Sequence, residues 1–482
     1  MLLKPRPVLG LFDVTNLVIG AVIGADIYVV ASLGAVFLGP AVLIVWVLGG
    51  VLAGVIALSF AQSAVIVPRA GGPYAYVRRA FGEFPAFIVG WALYVGEWFS
   101  LAVFPIAFVR YLRFFVTDLS PLGVILIKVT FVAFLTGSNI VGTKVGGRVN
   151  DALTLAKLMP LLVLIVTGLA AIVAAPSNAV DNLTPFVPFG WAGFSPALIQ
   201  VFWAYAGFEL ATLPAAEVIE PRRTMPRAFF IGMTVVTVFY LAVNFVVVSS
   251  IPTRIIAGSQ IPLVTSIGAV LQALGLPIAL GGALMAVGAL LSISGVEEAF
   301  NLGTSRLSYA MAVDGLLPRF FAELHPRFGT PYLGLLFLGG TSLLISIVGD
   351  LGSLITISVF GLAVVYVATS LATARLLRQS PDSRLEIPGA RVLPLAALVA
   401  SFLLLSQTGY VGVLLGGSLV LAGVPAYFLF TRRRVLARQR AVLLSRARQL
   451  SEAGRIGRSS LAGLIRLVAR TIGLLPRRGE PR

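Results

Sequence analysis

The sequence predicts an all-α polytopic membrane protein of about twelve transmembrane helices, each crossing needing about 20 apolar residues. Composition, the succession of apolar stretches and the placement of basic residues carry that prediction. Of 482 residues, 58% are hydrophobic and 11% charged, whereas soluble domains average roughly 45–50% apolar and about 25% charged. A water-soluble core cannot absorb that excess. Apolar segments follow one another with short gaps from Leu11 to Phe430. Residues 1–431 therefore read as one transmembrane domain and 432–482 as a basic cytoplasmic tail.

The expected spans are Leu11–Ser32, Pro40–Val67, Ala86–Val109, Leu122–Val141, Ala152–Ala174, Gly193–Ala216, Ala228–Ser250, Pro277–Phe300, Tyr332–Val348, Leu354–Ala374, Val392–Ser406 and Val411–Phe430. Lys4 and Arg6 precede the first, as in a signal peptide, but that segment is long and has no small-residue cleavage site, so it reads as a membrane helix. Basic loops stay in the cytoplasm. With the N-terminus inside, the inner connections carry Lys4, Arg6, Arg69, Arg78, Arg79, Lys144, Arg148, Arg222, Arg223, Arg227, Arg306, Arg319, Arg327, Arg375, Arg378, Arg384 and Arg391. The outer ones carry only Arg110, Arg113 and Arg254. Both termini are thus expected in the cytoplasm of a plasma-membrane protein.

The formal net charge of +17 lies mostly in cytoplasmic loops and the tail, with no aromatic stacking pattern. Anionic lipid, not nucleic acid, is the partner it suggests. In the tail, Leu461, Leu464, Ile465, Leu467, Val468, Ile472 and Leu474 alternate with Arg466 and Arg470. That pattern suits a helix lying on the membrane surface as well as a solvated disordered tail. Cysteine is absent, which excludes disulfides and thiol chemistry. His325 is the only histidine, so neither a His-pair metal site nor a Ser-His-Asp triad is available. Gly146-Gly147 lacks the P-loop Lys-Ser/Thr pattern. The chain reads as no enzyme, and no cofactor or metal is expected.

Ionisable groups inside a bilayer are costly and mark function. Asp26 lies near the middle of span 1, Glu97 in span 3, Lys128 in span 4, Lys157 in span 5 and Glu209 in span 6, with Glu297 and Glu298 near the inner end of span 8. The first, second and fifth of these are too deep to reach water by stretching. Lys128 and Lys157 lie about two turns from a span end at about 1.5 Å per residue, and Lys128 is expected to snorkel to water. Lys157 is open to either role on position. Gly20-Ala-Val-Ile-Gly24-Ala-Asp-Ile-Tyr28 and Phe202-Trp-Ala-Tyr-Ala-Gly207-Phe-Glu209 set small residues beside a carboxylate at mid-span. Such segments fit broken helices lining a transporter site or close packing through small residues.

With twelve expected spans and these interrupted segments, the chain resembles the amino acid–polyamine–organocation permease family over roughly Leu9 to Phe430. The motifs that carry the resemblance are Gly20-Ala-Val-Ile-Gly24, Pro68-Arg-Ala-Gly-Gly-Pro-Tyr-Ala-Tyr76, Phe202 to Glu209 leading to Ala216-Glu-Val-Ile-Glu-Pro-Arg222, Ser305-Arg-Leu-Ser-Tyr-Ala-Met311 and Asp314-Gly-Leu-Leu-Pro318. It implies a five-plus-five inverted repeat, spans 1–5 against 6–10, with broken helices 1 and 6 around a central site and spans 11 and 12 outside. A half-helix N-terminus there can take a substrate carboxylate and exposed carbonyls an ammonium. The residues that the resemblance assigns to substrate are Ile23, Gly24, Ala25 and Ile27 in span 1, and Phe202, Ala204, Tyr205 and Gly207 in span 6. Asp26 and Glu209 join them as carboxylates beside the breaks.

Lys157 matches a span 5 lysine that stands where sodium sits in other relatives, which implies a reversible proton carrier. Asp26 departs from the family pattern, since relatives usually have Gly-Ser-Gly-Ile-Phe where this chain has Gly24-Ala-Asp-Ile-Tyr28. Its carboxylate could pair with a cation such as Lys157, stay protonated, meet a cationic substrate, or cap the second half-helix. The function implied is secondary active transport of amino acids or related amines, coupled to protons. An exchanger or uniporter on the same fold is the alternative, and a substrate-sensing receptor or a channel would be of a different class.

Overall fold

The protein, seen as a computed structural model, is described over residues 8–68, 71–142, 147–212 and 215–431. Lys4, Arg6, Arg69, Lys144, the Arg148 side chain and the tail from residue 432 lie outside the described residues. The described chain is helical, with one isolated parallel bridge between Leu9 and Val218. Its α-helices are α1 Leu11–Val22, α2 Asp26–Leu38, α3 Val42–Ile66, α4 Gly72–Phe81, α5 Glu83–Leu112, α6 Pro121–Val141, α7 Gly147–Ala174, α8 Pro176–Leu183, α9 Phe194–Trp203, α10 Pro221–Ser250, α11 Thr253–Gly258, α12 Pro262–Ala273, α13 Ile278–Val313, α14 Tyr332–Val348, α15 Leu351–Gln379, α16 Leu393–Ser406 and α17 Gly409–Thr431.

Local chemistry sets many of these boundaries. Ser120 accepts the Gly123 N–H at 3.1 Å and Asp350 accepts the Ser353 N–H at 2.9 Å, capping α6 and α15. Proline enters the first turn of α4, α6, α8, α10, α12 and α16, where its missing N–H costs nothing. Among the described residues, 8 helical segments are long and apolar enough to cross a bilayer, and α1, α12, α14 and α16 are shorter apolar helices. This is a multi-pass membrane protein. The connection after α10, which the expected spans leave unassigned, folds into α11 and α12, and α12 packs on α13 and α7.

Two expectations are corrected. Span 6 does not resume as an α-helix after its interruption: beyond Trp203 the described chain runs through turns and short 3₁₀ segments to Glu217, with Pro214 in the sequence there. Lys128 does not reach water. It is 7% exposed and its ammonium donates to the Ser346 carbonyl at 2.5 Å, one of the free carbonyls at the end of α14, where the helix dipole favours a cation.

The centre of the bundle is α5, packed against α13, α14 and α15. Small residues let α5 and α15 approach to backbone contact: a Cβ added at Gly361 would lie 2.8 Å from the Ala92 carbonyl oxygen, and one at Gly96 3.1 Å from that of Ser358. The Ser100 and Ser358 hydroxyls bond at 2.7 Å along the same seam. At the basic end of the bundle Arg78 pairs with Asp314, which also accepts from Tyr74 at 2.6 Å. There Val8 and Leu9 donate to the Glu217 carbonyl at 2.8 and 2.9 Å, tying the start of the chain to the segment after the span 6 break.

The seam predicts an asymmetry between glycines. Gly361→Ala should lower the thermal midpoint in detergent by several degrees, since overpacking against fixed backbone costs about 1–3 kcal/mol. Gly340→Ala, where a Cβ meets nothing within 4 Å, should leave it unchanged or slightly higher. Equal midpoints for the two variants would rule out backbone contact at the seam.

Candidate functional site

The site is built where two interrupted spans cross. Helix α1 closes with the Ile23 N–H on the Ile19 carbonyl at 2.8 Å. Ile23 then turns to extended backbone, φ −75 and ψ 100, and α2 starts at Asp26. The interruption covers Ile23, Gly24 and Ala25, slightly earlier than the glycine pattern suggests, so Asp26 and Ile27 already belong to α2. In span 6, α9 ends at Trp203, and tight turns follow: Ala204 N–H to Val201 O at 3.1 Å and Tyr205 N–H to Phe202 O at 2.9 Å. Gly207 adopts φ +110, a left-handed region open to glycine. A Cβ there would overlap the Ala21 carbonyl oxygen, so the crossing itself requires glycine.

Tyr240 on α10 joins the two interruptions. Its hydroxyl lies 2.8 Å from the Val22 carbonyl and 3.1 Å from the Ala204 carbonyl, so one donor serves the freed carbonyls of both spans. Glu209 serves the span 6 break from within, with one oxygen accepting the Gly207 N–H at 2.7 Å and the other accepting the Tyr366 hydroxyl. Tyr205 turns away from the break and donates to the Trp46 carbonyl on α3 at 2.7 Å.

Every substrate-site residue expected from the sequence is buried. Ile23, Gly24, Ala25, Asp26, Ile27, Phe202, Ala204, Tyr205, Gly207 and Glu209 are closed off from solvent, and the fold brings the two groups together. Asp26 is 4% exposed and its Oδ1 has no hydrogen-bond partner. It caps nothing, since the α2 N-cap position is Ala25 and makes no side-chain bond, although the positive end of α2 favours its charge. Glu97 on α5 lies within electrostatic reach of both Asp26 and Glu209, and its Oε2 is also unpartnered. The centre is therefore acidic.

Lys157 is half-buried on α7, and its backbone carbonyl accepts the Tyr28 hydroxyl of α2 at 3.0 Å. Its main chain thus abuts span 1, but among the described residues its ammonium forms no ion pair, with Asp26 or with any other carboxylate. Pairing of Lys157 with Asp26 is not the arrangement found. Tyr240 and Tyr366 were not legible as site residues, because a tyrosine in an apolar span reads as ordinary core. Among the described residues no cluster of three or more potential metal ligands occurs. What the arrangement offers chemically is the N-terminal end of α2, carbonyls released by the breaks and held by one hydroxyl, and unpartnered carboxylate oxygens on Asp26 and Glu97, a set suited to binding a zwitterion or cation.

A family model described as amino acid permease matches residues 9–423. The branched-chain amino acid permease BcaP of Bacillus subtilis (strain 168) is 29% identical over 450 residues, covering 88% of this chain and 93% of the relative. The serine/threonine exchanger SteT of the same organism is 28% identical over 449 residues, covering 88% and 97%, and its methylthioribose transporter is 27% identical over 457 residues, covering 89% and 94%. Among solved structures, MhsT in complex with L-phenylalanine has a TM-score of 0.61 and 15% identity, covering 82% of this chain and 98% of that one. At that identity the likeness is one of fold.

The shared hydroxyl makes Tyr240 the residue to test. Tyr240→Phe leaves two buried carbonyls without their donor, worth about 1–3 kcal/mol. It should lower the thermal midpoint and slow transport of any substrate, whereas a variant matching the parent in both measurements would show that the bridge is dispensable.

Proposed function

The chain belongs to the amino acid permease family, and we propose that it is a secondary active transporter carrying an amino acid or related amine by alternating access through the crossed breaks of spans 1 and 6. The chain is a transporter and not an enzyme. The observation that carries the mechanism is the enclosed crossing at Gly207 and Ala21, where backbone leaves helical geometry in the middle of the bundle. Irregular backbone at that depth is tolerated where protein or a cavity surrounds it, and paired breaks favour an inverted repeat of spans 1–5 and 6–10. In this reading α1 and α2 together form span 1, about twelve crossings result, and spans 11 and 12 lie outside the repeat. The asymmetry of basic residues supports cytoplasmic termini in a plasma membrane, with residues 432–482 as a tail against anionic lipid.

Substrate-binding roles fall to the backbone of Ile23 to Ile27 and of Ala204 to Gly207, with Phe202 as a wall, Tyr205 contributing main chain while its side chain anchors on Trp46, and Glu209 fixing the span 6 turn. Lys157 is the coupling residue, exchanging a proton during the cycle. Similarity to SteT favours exchange as the second reading. Reconstituted protein given labelled leucine, serine, lysine and putrescine should show counterflow for at least one, and accumulation under an inward acid gradient. Lys157→Ala should lose the accumulation while counterflow remains measurable. Unchanged accumulation in that variant would remove Lys157 from the coupling, and counterflow without accumulation in the parent protein would favour the exchanger.

Asp26 refines the substrate. An ionised carboxylate about 4 Å from a substrate carboxylate costs about 4 kcal/mol at an effective dielectric near 20, roughly a thousandfold in affinity. With no lysine paired to it, the neutralising charge comes from the substrate's own cation or from a proton. Asp26→Asn should weaken binding of amines and dibasic amino acids by about tenfold, ~1.4 kcal/mol, relative to neutral amino acids. An equal effect on both classes, at every pH, would exclude the electrostatic role.

A further inference from the structure

We infer that Glu297 is a second protonatable site of the transport cycle, carrying its proton in the closed arrangement seen here and releasing it when the inner side opens. The inference rests on the transport reading above and adds a group outside the crossing of spans 1 and 6. Glu297 lies on α13 and is 0% exposed, and neither of its carboxyl oxygens has a hydrogen-bond partner. One helical turn further on, Asn301 is likewise 0% exposed and its Oδ1 is unpartnered. The Asn301 amide nitrogen is already engaged, donating to Thr136 Oγ1 on α6 at 3.2 Å. The neighbouring donors of α6 go elsewhere: Asn139 to the Glu298 carbonyl at 3.0 Å and Ser138 to Glu298 Oε1 at 3.2 Å.

Beside the seam between α6 and α13, acceptor oxygens on Glu297 and Asn301 are therefore buried without a hydrogen-bond donor engaged on them. An ionised carboxylate cannot persist in that position without a counter-charge; it neutralises instead. Helix α13 packs against α5, α6, α7, α12, α14, the turn that follows it and, through Val296, the span 1 break at Gly24. The charged groups described on those elements are Glu83, Glu97 and Arg110 on α5, Lys128 on α6, Lys157 on α7, Arg319 in the turn, Asp26 beside the span 1 break, and Glu298 and Arg306 on α13 itself, while α12 and α14 carry none but the Tyr332 phenol. None forms a hydrogen bond or ion pair with Glu297. A proton on Glu297 supplies the missing donor, because residues four apart on a helix are neighbours and the carboxyl O–H can then address Asn301 Oδ1.

Depth gives the group its use. Glu297 is about 28 Å along α13 from its first residue at about 1.5 Å per residue, close to the inner edge of a hydrocarbon core about 30 Å thick. An opening on that side would wet it early. The proton taken up as the carboxylate forms its O–H bond passes to water on the inner side when that bond breaks, and no other reactant is needed.

The test uses the full chain in proteoliposomes with labelled leucine, serine, lysine and putrescine. For one proton per substrate, handed between Lys157 and Glu297 so that loss of either uncouples the cycle, an inward acid gradient of about one pH unit should drive about tenfold accumulation in the parent protein. Glu297→Gln keeps shape but cannot titrate. It should show counterflow that remains measurable, with accumulation falling to about onefold and a flat pH profile. Glu297→Asp, which keeps a carboxyl, should retain accumulation with a displaced pH midpoint, and this decides the matter should the glutamine variant fail to fold. Accumulation and pH profile equal to the parent in the glutamine variant, or an undisplaced midpoint in the aspartate variant, would overturn the inference. So would accumulation in the parent that follows sodium and not protons. Absence of parent counterflow for every probe would instead fail the transport reading itself.

Discussion

A peptide backbone that leaves helical geometry inside a bilayer must find its hydrogen bonds within the protein, because lipid offers none. The centre of this molecule is organised by that constraint. The carbonyls of Val22 and Ala204 are released by the breaks, and one hydroxyl, that of Tyr240, lies within bonding distance of both. Glu209 does comparable work for the Gly207 N–H while its second oxygen is held by Tyr366. The two spans are thus fastened to α10 and α15 as well as to each other. A substrate that supplies its own ammonium and carboxylate would compete for such backbone groups, which links binding to rearrangement of the breaks.

Charge follows from the same enclosure. Asp26, Glu97 and Glu209 gather around the crossing, yet their surroundings differ. Glu209 is furnished with donors, whereas Asp26 and Glu97 each keep an unpartnered oxygen. The lysines are placed to avoid them: Lys128 ends on a carbonyl of α14, and the main chain of Lys157 is fixed by Tyr28 while its ammonium pairs with no carboxylate. An acidic centre without a built-in counter-cation is suited to a ligand or a proton that brings the positive charge with it. Glu297, lying apart beside the seam of α6 and α13, extends the same logic to a second place in the bundle.

Helix packing sets how closely these groups approach. At Gly96 and Gly361 the backbones of α5 and α15 touch, and small residues at such contacts are the usual means of bringing helices together in lipid. Gly24 plays a similar part toward α13, where an added Cβ would come within 2.6 Å of Val296. Glycine therefore had two open readings in the sequence, as a helix breaker and as a packing surface, and at Gly24 and Gly207 both hold at once.

The sequence by itself determined the solvent of this protein and much of its course through it. Apolar length and composition are one-dimensional properties, so α3, α5, α6, α7, α10, α14, α15 and α16 fall close to the segments read from the chain, while α13 starts where expected and runs on past Phe300 to Val313. The carboxylates Asp26, Glu97, Glu209 and Glu297 were also legible, because an ionisable group in an apolar run stands out without any structure. Partners were not. That Glu209 would fold back on Gly207, that Tyr205 would face Trp46 and not the break, and that Asp26 would stand clear of Lys157 depend on contacts between segments far apart in the chain. Span 6 failed to resume as an α-helix for the same kind of reason, since hydropathy measures burial and does not report backbone geometry. Tyr240 and Tyr366 show the limit most clearly: their hydroxyls acquire a role only when tertiary packing carries freed carbonyls or a carboxylate to them.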